Sequence, residues 1–375
     1  MHPNPPTTFA TRLDIHMLLQ AMVEKDASDL HITVGLAPSL RIHGSIYPLK
    51  VPPLTPDDTE HLCYALINEK QKKTFEEKNE LDFSFRWKGE ARFRANFFRQ
   101  QGHVAAALRA IPTQVKPLAD LGIPSAANEL IDKPGGLVLV TGPTGSGKST
   151  TLASFVDAFN SRHRGHIVTI EDPIEFVHSH KKCIVNQREV GADTESFRAA
   201  LRYILRQDPD AVLIGEIRDK ETMEATLSIS ETGHLAFATL HTNSCVQTIH
   251  RILDFFPSHQ QAMVRTQLSF VLEGIISQQL VPKSDGKGRV MACEILLPTA
   301  AIRNLIREEK THQIYSQMQL GQARHGMQTL NQCLYRLVKE RQVAREEAME
   351  RSYEPDELAQ MFLQESNDAR AGTRR

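Results

Sequence analysis

The sequence predicts an α/β protein with two domains: a small α+β domain with an antiparallel sheet over residues 1–112, and a larger domain with a mostly parallel sheet over residues 119–375. Short period-two strands dominate the first part, whereas apolar strands alternate with helical segments in the second. Between them, residues 113–118 are polar, lie beside prolines and show no periodicity, which is typical of a linker. A chain of 375 residues is long enough for two separate cores.

The first domain begins with an amphipathic helix. Its apolar stripe recurs at i, i+3, i+4 and i+7 and consists of Ile15, Leu18, Leu19 and Met22. Alternating segments at residues 30–34 and 40–42 then predict two short strands. Residues 55–58, Thr-Pro-Asp-Asp, predict a helix start, because threonine can cap a helix, proline suits its first position and acids favour its first turn.

A β-hairpin is predicted over residues 81–97, with a turn at Lys88-Gly89. On its second arm the apolar side chains of Phe93, Ala95 and Phe97 share one face. Arg92 and Arg94 lie side by side on the opposite face. This pair fits either an ordinary solvated strand face or an anion site presented to a neighbouring subunit.

The second domain is organised around a glycine-rich loop. A buried strand, Leu-Val-Leu-Val-Thr at 137–141, runs into Gly-Pro-Thr-Gly-Ser-Gly-Lys-Ser at 142–149 and then into a helix. This strand, loop and helix start are typical of a nucleoside-triphosphate site, in which backbone N–H groups surround the phosphates, lysine reaches the β and γ phosphates and serine binds Mg²⁺. The predicted nucleotide-binding residues are Gly142, Thr144, Gly145, Ser146, Gly147, Lys148, Ser149 and Thr150.

Acidic residues follow two further predicted strands. The strand at 166–170 leads into Glu171-Asp172-Pro173-Ile174-Glu175, and the strand at 210–215 leads into Glu216. Because ligands of parallel sheets bind beyond the carboxyl ends of the strands, these acids are expected near the phosphates. ATP hydrolysis uses one acid to hold Mg²⁺ and another to orient water. Capping of the following helix is the alternative for Glu171 or Asp172.

Two histidines, His234 and His241, flank an apolar strand at 235–240. A lone histidine is more often structural than catalytic, but His241 lies past a carboxyl end, where a sensor of the γ-phosphate would belong. A metal site formed by His234, His241 and Cys245 is a weaker alternative, because no fourth ligand lies close by in sequence.

The composition excludes several classes of protein. The 44 basic and 45 acidic residues balance, so we expect no nucleic-acid partner bound by bulk charge. No apolar run approaches the roughly twenty residues of a membrane span, and the N-terminus lacks the features of a secretion signal. The five cysteines are dispersed and odd in number. We therefore expect a soluble cytoplasmic protein with reduced, buried thiols.

Taken together, four segments resemble the secretion ATPase family. They are its Walker A, Asp box, Walker B and His box segments, at 142–149, 170–175, 208–219 and 233–242, and they occur in the family's order. Residues 27–31, Ala-Ser-Asp-Leu-His, also resemble that family's N-terminal domain. The resemblance implies a PAS-like N-terminal α+β domain, a RecA-like P-loop ATPase domain, ATP and Mg²⁺ as ligands, and a homo-hexameric ring.

The resemblance also implies roles for individual residues. Glu175 would activate water, whereas Glu216, together with Ser149, would hold Mg²⁺ and position the water. His234 and His241 would report the state of the γ-phosphate to the domain interface. The arginines of a neighbour's first domain would complete the site, and the candidates are Arg92, Arg94 and Arg109.

Residues 301–308, Ala-Ile-Arg-Asn-Leu-Ile-Arg-Glu, match a motif of the members that retract type IV pili. Periodicity alone predicts an ordinary amphipathic helix here. The motif implies a motor for pilus retraction and twitching motility, placed at the cytoplasmic face of the inner membrane by a pilus platform protein and working with an accessory retraction ATPase. The alternatives are a motor for pilus extension, type II secretion or competence, and an accessory nucleotide-binding ring subunit.

Overall fold

In a computed structural model the chain is described over residues 13–42, 44–88, 91–112 and 114–372. It forms two compact units, the first ending at residue 113 and the second beginning at Gln114. Among the described residues, no helix has both the length and the apolar character needed to cross a membrane. The five cysteines are free and buried.

The first unit contains a six-stranded sheet in which every neighbouring pair is antiparallel, in the order β3-β2-β1-β6-β5-β4. Its elements, in chain order, are α1 (Ile15–Glu24), β1 (Asp29–Ile32), β2 (Ser39–Ile42), β3 (Ser45–Pro48), α2 (Pro56–Tyr64), α3 (Glu69–Lys78), β4 (Glu80–Trp87), β5 (Ala91–Gln100) and β6 (His103–Ile111).

Local sequence signals describe this unit well. All four residues of the predicted apolar stripe on α1 are buried, and α2 begins with a capping box between Thr55 and Asp58. The first strand is shorter than predicted, because β1 ends at Ile32 and the chain turns at Gly35, whose φ is 80°. Sequence reasoning does not identify β3 or α3.

The central strands β5 and β6 present apolar side chains on one face of the sheet and basic side chains on the other. Phe93, Ala95 and Phe97 are fully buried. Arg94 lies on the other face of β5, directly opposite Arg109 of β6. The predicted pair of projecting arginines on β5 is therefore joined by an arginine from the neighbouring strand.

The second unit contains a seven-stranded sheet in the order β13-β12-β7-β11-β10-β8-β9. Every neighbouring pair is parallel except β12 with β13, which confirms a mostly parallel sheet. Its elements, in chain order, are β7 (Gly136–Thr141), α4 (Lys148–Arg162), β8 (His166–Glu171), β9 (Ile184–Glu189), α5 (Phe197–Ile204), β10 (Ala211–Ile214), α6 (Lys220–Glu231), β11 (Leu235–Leu240), α7 (Cys245–Asp254), α8 (Ser258–Val271), β12 (Leu272–Pro282), β13 (Arg289–Leu296), α9 (Ala300–Arg307), α10 (Ile314–Leu320), α11 (Gln322–His325), α12 (Leu330–Lys339), α13 (Arg345–Arg351) and α14 (Pro355–Gly372).

The central strands are buried on both faces. In β7, Leu137 and Leu139 belong to one hydrophobic cluster, whereas Val138 and Val140 belong to a second cluster on the other side of the sheet. In register, Leu240 of β11 lies opposite Thr141, the last residue of β7. The loops that follow β7, β11, β10 and β8 therefore leave the same edge of the sheet.

Candidate active site

The loop between β7 and α4 depends on glycines for its shape. Gly142, Gly145 and Gly147 have φ values of 143°, 79° and 90°, a region that side chains with a Cβ rarely adopt. A Cβ added to Gly142 would also clash with the backbone carbonyl oxygen of Gln278. The curled backbone leads directly into α4, whose first residue is Lys148, so the first-turn N–H groups of this helix face the loop.

Lys148 is largely buried within the loop. Its ammonium nitrogen donates to the carbonyl oxygens of Gly142 at 2.8 Å and Pro143 at 3.0 Å. Burial lowers the pKa of Lys148, although the nearby Glu216 carboxylate opposes this effect. The loop carbonyls thus hold the lysine ammonium at the start of the loop, as the sequence predicts for a cation that could bind phosphate.

Other loop residues provide hydroxyl groups. Ser149 is exposed at the start of α4, whereas Ser146 is buried. The Ser146 hydroxyl has no hydrogen-bond partner among the described residues, which is unusual for a buried polar group. A buried donor with no protein partner, inside a loop of backbone N–H groups, fits the oxygen of a bound anion.

Glu216 follows the end of β10 by two residues. In the sheet, β11 lies between β10 and β7, the strand that leads into the loop. Its carboxylate is 2.8 Å from Nη2 of Arg218 and 3.1 Å from Nε2 of His241. Burial raises the pKa of Glu216, but the hydrogen bond and charge of Arg218 outweigh burial, so the pKa lies below its usual range. Glu216 is therefore a carboxylate at neutral pH.

His241 connects the two groups. Its Nδ1 lies 3.5 Å from the Lys148 ammonium, while its Nε2 contacts Glu216. The structure thus brings together the predicted lysine, acid and histidine at the ends of three adjacent strands.

Glu171 organises the turn after β8. Its buried carboxylate accepts hydrogen bonds from the Thr169 hydroxyl at 2.7 Å, the Gln187 amide at 3.2 Å and the backbone N–H of Glu175 at 3.2 Å. Burial raises the pKa of Glu171 despite these hydrogen bonds. Glu171 therefore does not cap a following helix; it holds the turn that presents the exposed Glu175.

His234 lies at the other end of β11 from His241. Its carbonyl oxygen accepts a hydrogen bond from the N–H of Gly136, at the start of β7 and away from the loop. An extended strand of six residues separates the two histidines by roughly 20 Å. A metal site of His234, His241 and Cys245 is therefore wrong. The predicted role of His234 as a reporter stays a prediction.

In the first unit, Arg92, Arg94 and Arg109 have acidic or hydroxyl partners. Arg92 donates to the Ser84 hydroxyl at 2.6 Å, and Arg94 lies 3.8 Å from the Asp82 carboxylate. Arg109, whose side chain is 69% exposed, lies 2.8 Å from Asp29. The cationic face is therefore partly neutralised within the unit.

The donor set suits a magnesium ion bound together with phosphates. Among the described residues, no group of three or more histidine, cysteine, aspartate or glutamate side chains could hold a metal. Mg²⁺ in nucleotide sites instead takes one or two protein oxygens and completes its shell with phosphates and water. The Ser149 hydroxyl and the ionised Glu216 carboxylate are oxygen donors of this kind.

Sequence reasoning missed part of this site. Sequence reasoning does not predict that Arg218 pairs with Glu216, although the two residues are only two positions apart. The role of Glu171 in holding Glu175 was missed too, because both acids follow the same strand and periodicity cannot tell a buried acid from an exposed one.

Comparison with known proteins gives consistent matches over nearly the whole chain. Residues 9–374 match the family model of the type II/IV secretion system protein. The chain is 50% identical to the type IV pilus retractation ATPase PilT of Pseudomonas aeruginosa, over 92% of this chain and 99% of that protein. It is 41% identical to the type IV pilus ATPase PilU of the same organism, over 93% of this chain and 91% of that protein.

The fold is similar to a solved structure as well. A crystal structure of the pilus retraction motor PilT and bound ADP matches with a TM-score of 0.87 and 53% sequence identity, over 93% of this chain and 99% of that chain. The likeness covers both compact units.

Proposed function

The chain belongs to the type II/IV secretion system protein family, and we propose that it is the ATPase that powers type IV pilus retraction and twitching motility. One observation carries the enzymatic part: His241 lies 3.5 Å from the Lys148 ammonium and 3.1 Å from the Glu216 carboxylate, so the three side chains are brought together along a single edge of the sheet. The likeness to PilT, over 99% of that relative's length, supports retraction as the output.

The phosphates of ATP bind to the N–H groups of the loop 142–149. Lys148 exchanges its contacts with the Gly142 and Pro143 carbonyls for contacts with the β and γ phosphates. Because a phosphate oxygen carries more negative charge than a carbonyl oxygen, this exchange favours binding of the triphosphate. Burial strengthens the interaction by excluding water.

Hydrolysis requires a positioned water molecule. Glu175 lies on the turn fixed by Glu171, and it accepts the proton of the attacking water in this proposal. Glu216, kept ionised by Arg218, would hold Mg²⁺ together with the Ser149 hydroxyl, and the charge of a bound ion would stabilise the negative charge of the phosphates. His241 touches both Lys148 and Glu216, and so senses whether a γ-phosphate is present.

The assembly belongs to the proposal as well. We propose a homo-hexamer in which Arg92, Arg94 and Arg109 of a neighbouring copy contact the phosphates, and in which a pilus platform protein of the inner membrane receives the motion. The exposure of Arg109 and its register opposite Arg94 support a shared anion-binding face. The proposed domains are 1–112 and 119–375, joined by residues 113–118.

A second candidate is an accessory retraction ATPase, because the chain is also 41% identical to PilU over 93% of its length. The two functions differ in whether the protein can drive retraction without another ATPase. A motor should restore twitching motility in a strain that lacks every other retraction ATPase, whereas an accessory subunit should restore it only together with a motor.

The nucleotide site is tested with Lys148→Ala. The variant should lose nucleotide binding and ATPase activity, because the ammonium is the buried cation of the loop. Lys287→Ala, at an exposed position, is the matched control and should retain both. A Lys148→Ala protein that hydrolyses ATP at the normal rate would rule out this site. Complementation of a twitching-deficient strain tests the role in pilus retraction. We expect the wild-type gene to restore twitching and the Lys148→Ala gene to fail.

A further inference from the structure

Gln278 contacts the phosphate loop from a strand that belongs to none of the sequence motifs. It lies in β12, next to β7, and its side chain is buried with only 2% of the residue exposed. Ser277 pairs in register with Thr141, the last residue of β7, so Gln278 lies level with the first residue of the loop.

The Gln278 amide binds two parts of the loop region at once. Its Nε2 donates to the carbonyl oxygen of Ser146 at 2.8 Å, and its Oε1 accepts from the Thr151 hydroxyl at 2.9 Å. Thr151 lies in the first turn of α4 and is fully buried. The backbone carbonyl of Gln278 also closely approaches Gly142, where it leaves no room for a Cβ. One residue therefore touches the start of the loop, its far side and the helix that follows.

This contact sets the direction of a backbone donor. In a planar trans peptide the C=O and N–H groups point in opposite directions. Because Gln278 binds the Ser146 carbonyl from the β12 side, we infer that the N–H of Gly147 points away from Gln278, toward the inside of the loop. The inside of the loop is where a phosphate oxygen would accept the hydrogen bond.

We propose that Gln278 is a positioning residue that holds the phosphate loop in its nucleotide-binding shape. The inference rests on the proposed nucleotide site. Gln278 approaches the loop from β12, whereas the acids and His241 approach it from the opposite side of β7, through β11, β10 and β8. Gln278 therefore controls the affinity for nucleotide and not the hydrolytic step.

The test is Gln278→Met, which keeps the length of the side chain but removes both hydrogen bonds. We expect the Kd for ADP and the KM for ATP to rise about tenfold or more, from the loss of two neutral hydrogen bonds, with kcat at saturating ATP within about threefold of wild type. Gln279→Met is the matched control. Gln279 is the next residue of the strand, and its amide binds the carbonyl of Arg351 instead of the loop, so its Kd should stay within about twofold.

Thr151→Val provides a second test, whether or not Gln278→Met folds, because it removes only the hydroxyl that binds Gln278. We expect a rise in Kd of about threefold, and the double variant should bind no more weakly than Gln278→Met alone. The proposal would be overturned if Thr151→Val and folded Gln278→Met both bound nucleotide as tightly as the wild type. It would also be overturned if these variants lowered kcat and left KM unchanged. If the wild-type protein itself binds no nucleotide, the proposed function fails instead.

Discussion

The carboxylate of Glu216 lies 3.1 Å from Nε2 of His241, so the acid that follows β10 and the histidine that follows β11 meet across neighbouring strands. The same imidazole reaches the Lys148 ammonium at 3.5 Å. His241 therefore lies between the lysine proposed to bind phosphate and the acid proposed to hold Mg²⁺, and a response to the γ-phosphate by His241 can be tested directly.

His241→Ala should therefore lower kcat by about ten- to a hundredfold, because both Lys148 and Glu216 lose the group between them. His234→Ala is the control for nucleotide binding, since His234 lies at the opposite end of β11. Steady-state ATPase assays and ADP titrations measure both variants. A kcat for His241→Ala equal to that of the wild type, with ADP binding unchanged in both variants, would contradict this arrangement.

Glu175→Gln should reduce kcat by about two to three orders of magnitude with little change in the Kd for ADP, because the exposed carboxylate is the proposed base and an amide cannot take a proton. Asp172→Asn removes a charge from an exposed position three residues earlier in the same turn and serves as the control. Single-turnover hydrolysis compares the two. A larger loss of hydrolysis rate in Asp172→Asn than in Glu175→Gln would indicate that Asp172 is the base.

Arg303 connects α9 with the end of α8. Its guanidinium donates to the carbonyl oxygens of Ser269 and Phe270 at 2.8 and 2.9 Å, and to the Glu273 carboxylate at 2.8 Å. Arg303→Ala should therefore lower the free energy of unfolding by about 2 kcal/mol, since these acceptors lose a charged donor.

The control for this change is Arg307→Ala, one turn later on α9 and exposed, which should change the free energy of unfolding by less than about 0.5 kcal/mol. Urea unfolding followed by circular dichroism measures both. We expect Arg303→Ala to keep much of its ATPase rate at 25 °C while twitching is lost. Normal twitching in the Arg303→Ala strain would show that this contact of α9 is not needed for retraction.

His178 makes stability depend on pH. Burial lowers its pKa from 6.5 to about 4, so the folded state binds its proton less readily than the unfolded chain. The unfolded state therefore takes up the proton first as the pH falls. The free energy of unfolding should fall by up to about 3 kcal/mol as the pH falls from 6.5 through about 4.

His178→Gln should show a shallower loss of stability over this range, because its side chain does not titrate. His259→Gln, at an exposed position on α8, should follow the wild-type slope. Urea midpoints between pH 7 and pH 4.5 provide the comparison. A wild-type slope in His178→Gln would assign the acid sensitivity to other groups.

Features carried by neighbouring residues could be predicted from the sequence alone. The strand, loop and helix around Lys148 form one continuous motif, and the apolar stripe of α1 follows from spacing within a single helix. The prediction that His241 and Glu216 lie at one edge also holds, because parallel strands must present their carboxyl ends together.

Contacts between distant segments were decided only by the tertiary structure. The strand order places β11 between β7 and β10 and so makes His241 the neighbour of both Lys148 and Glu216. Gln278 is 132 residues from Ser146, and no local pattern marks it. The physical reason is that periodicity and turn chemistry act over a few residues, whereas strand order and buried polar pairing result from packing of the whole unit around two shared cores.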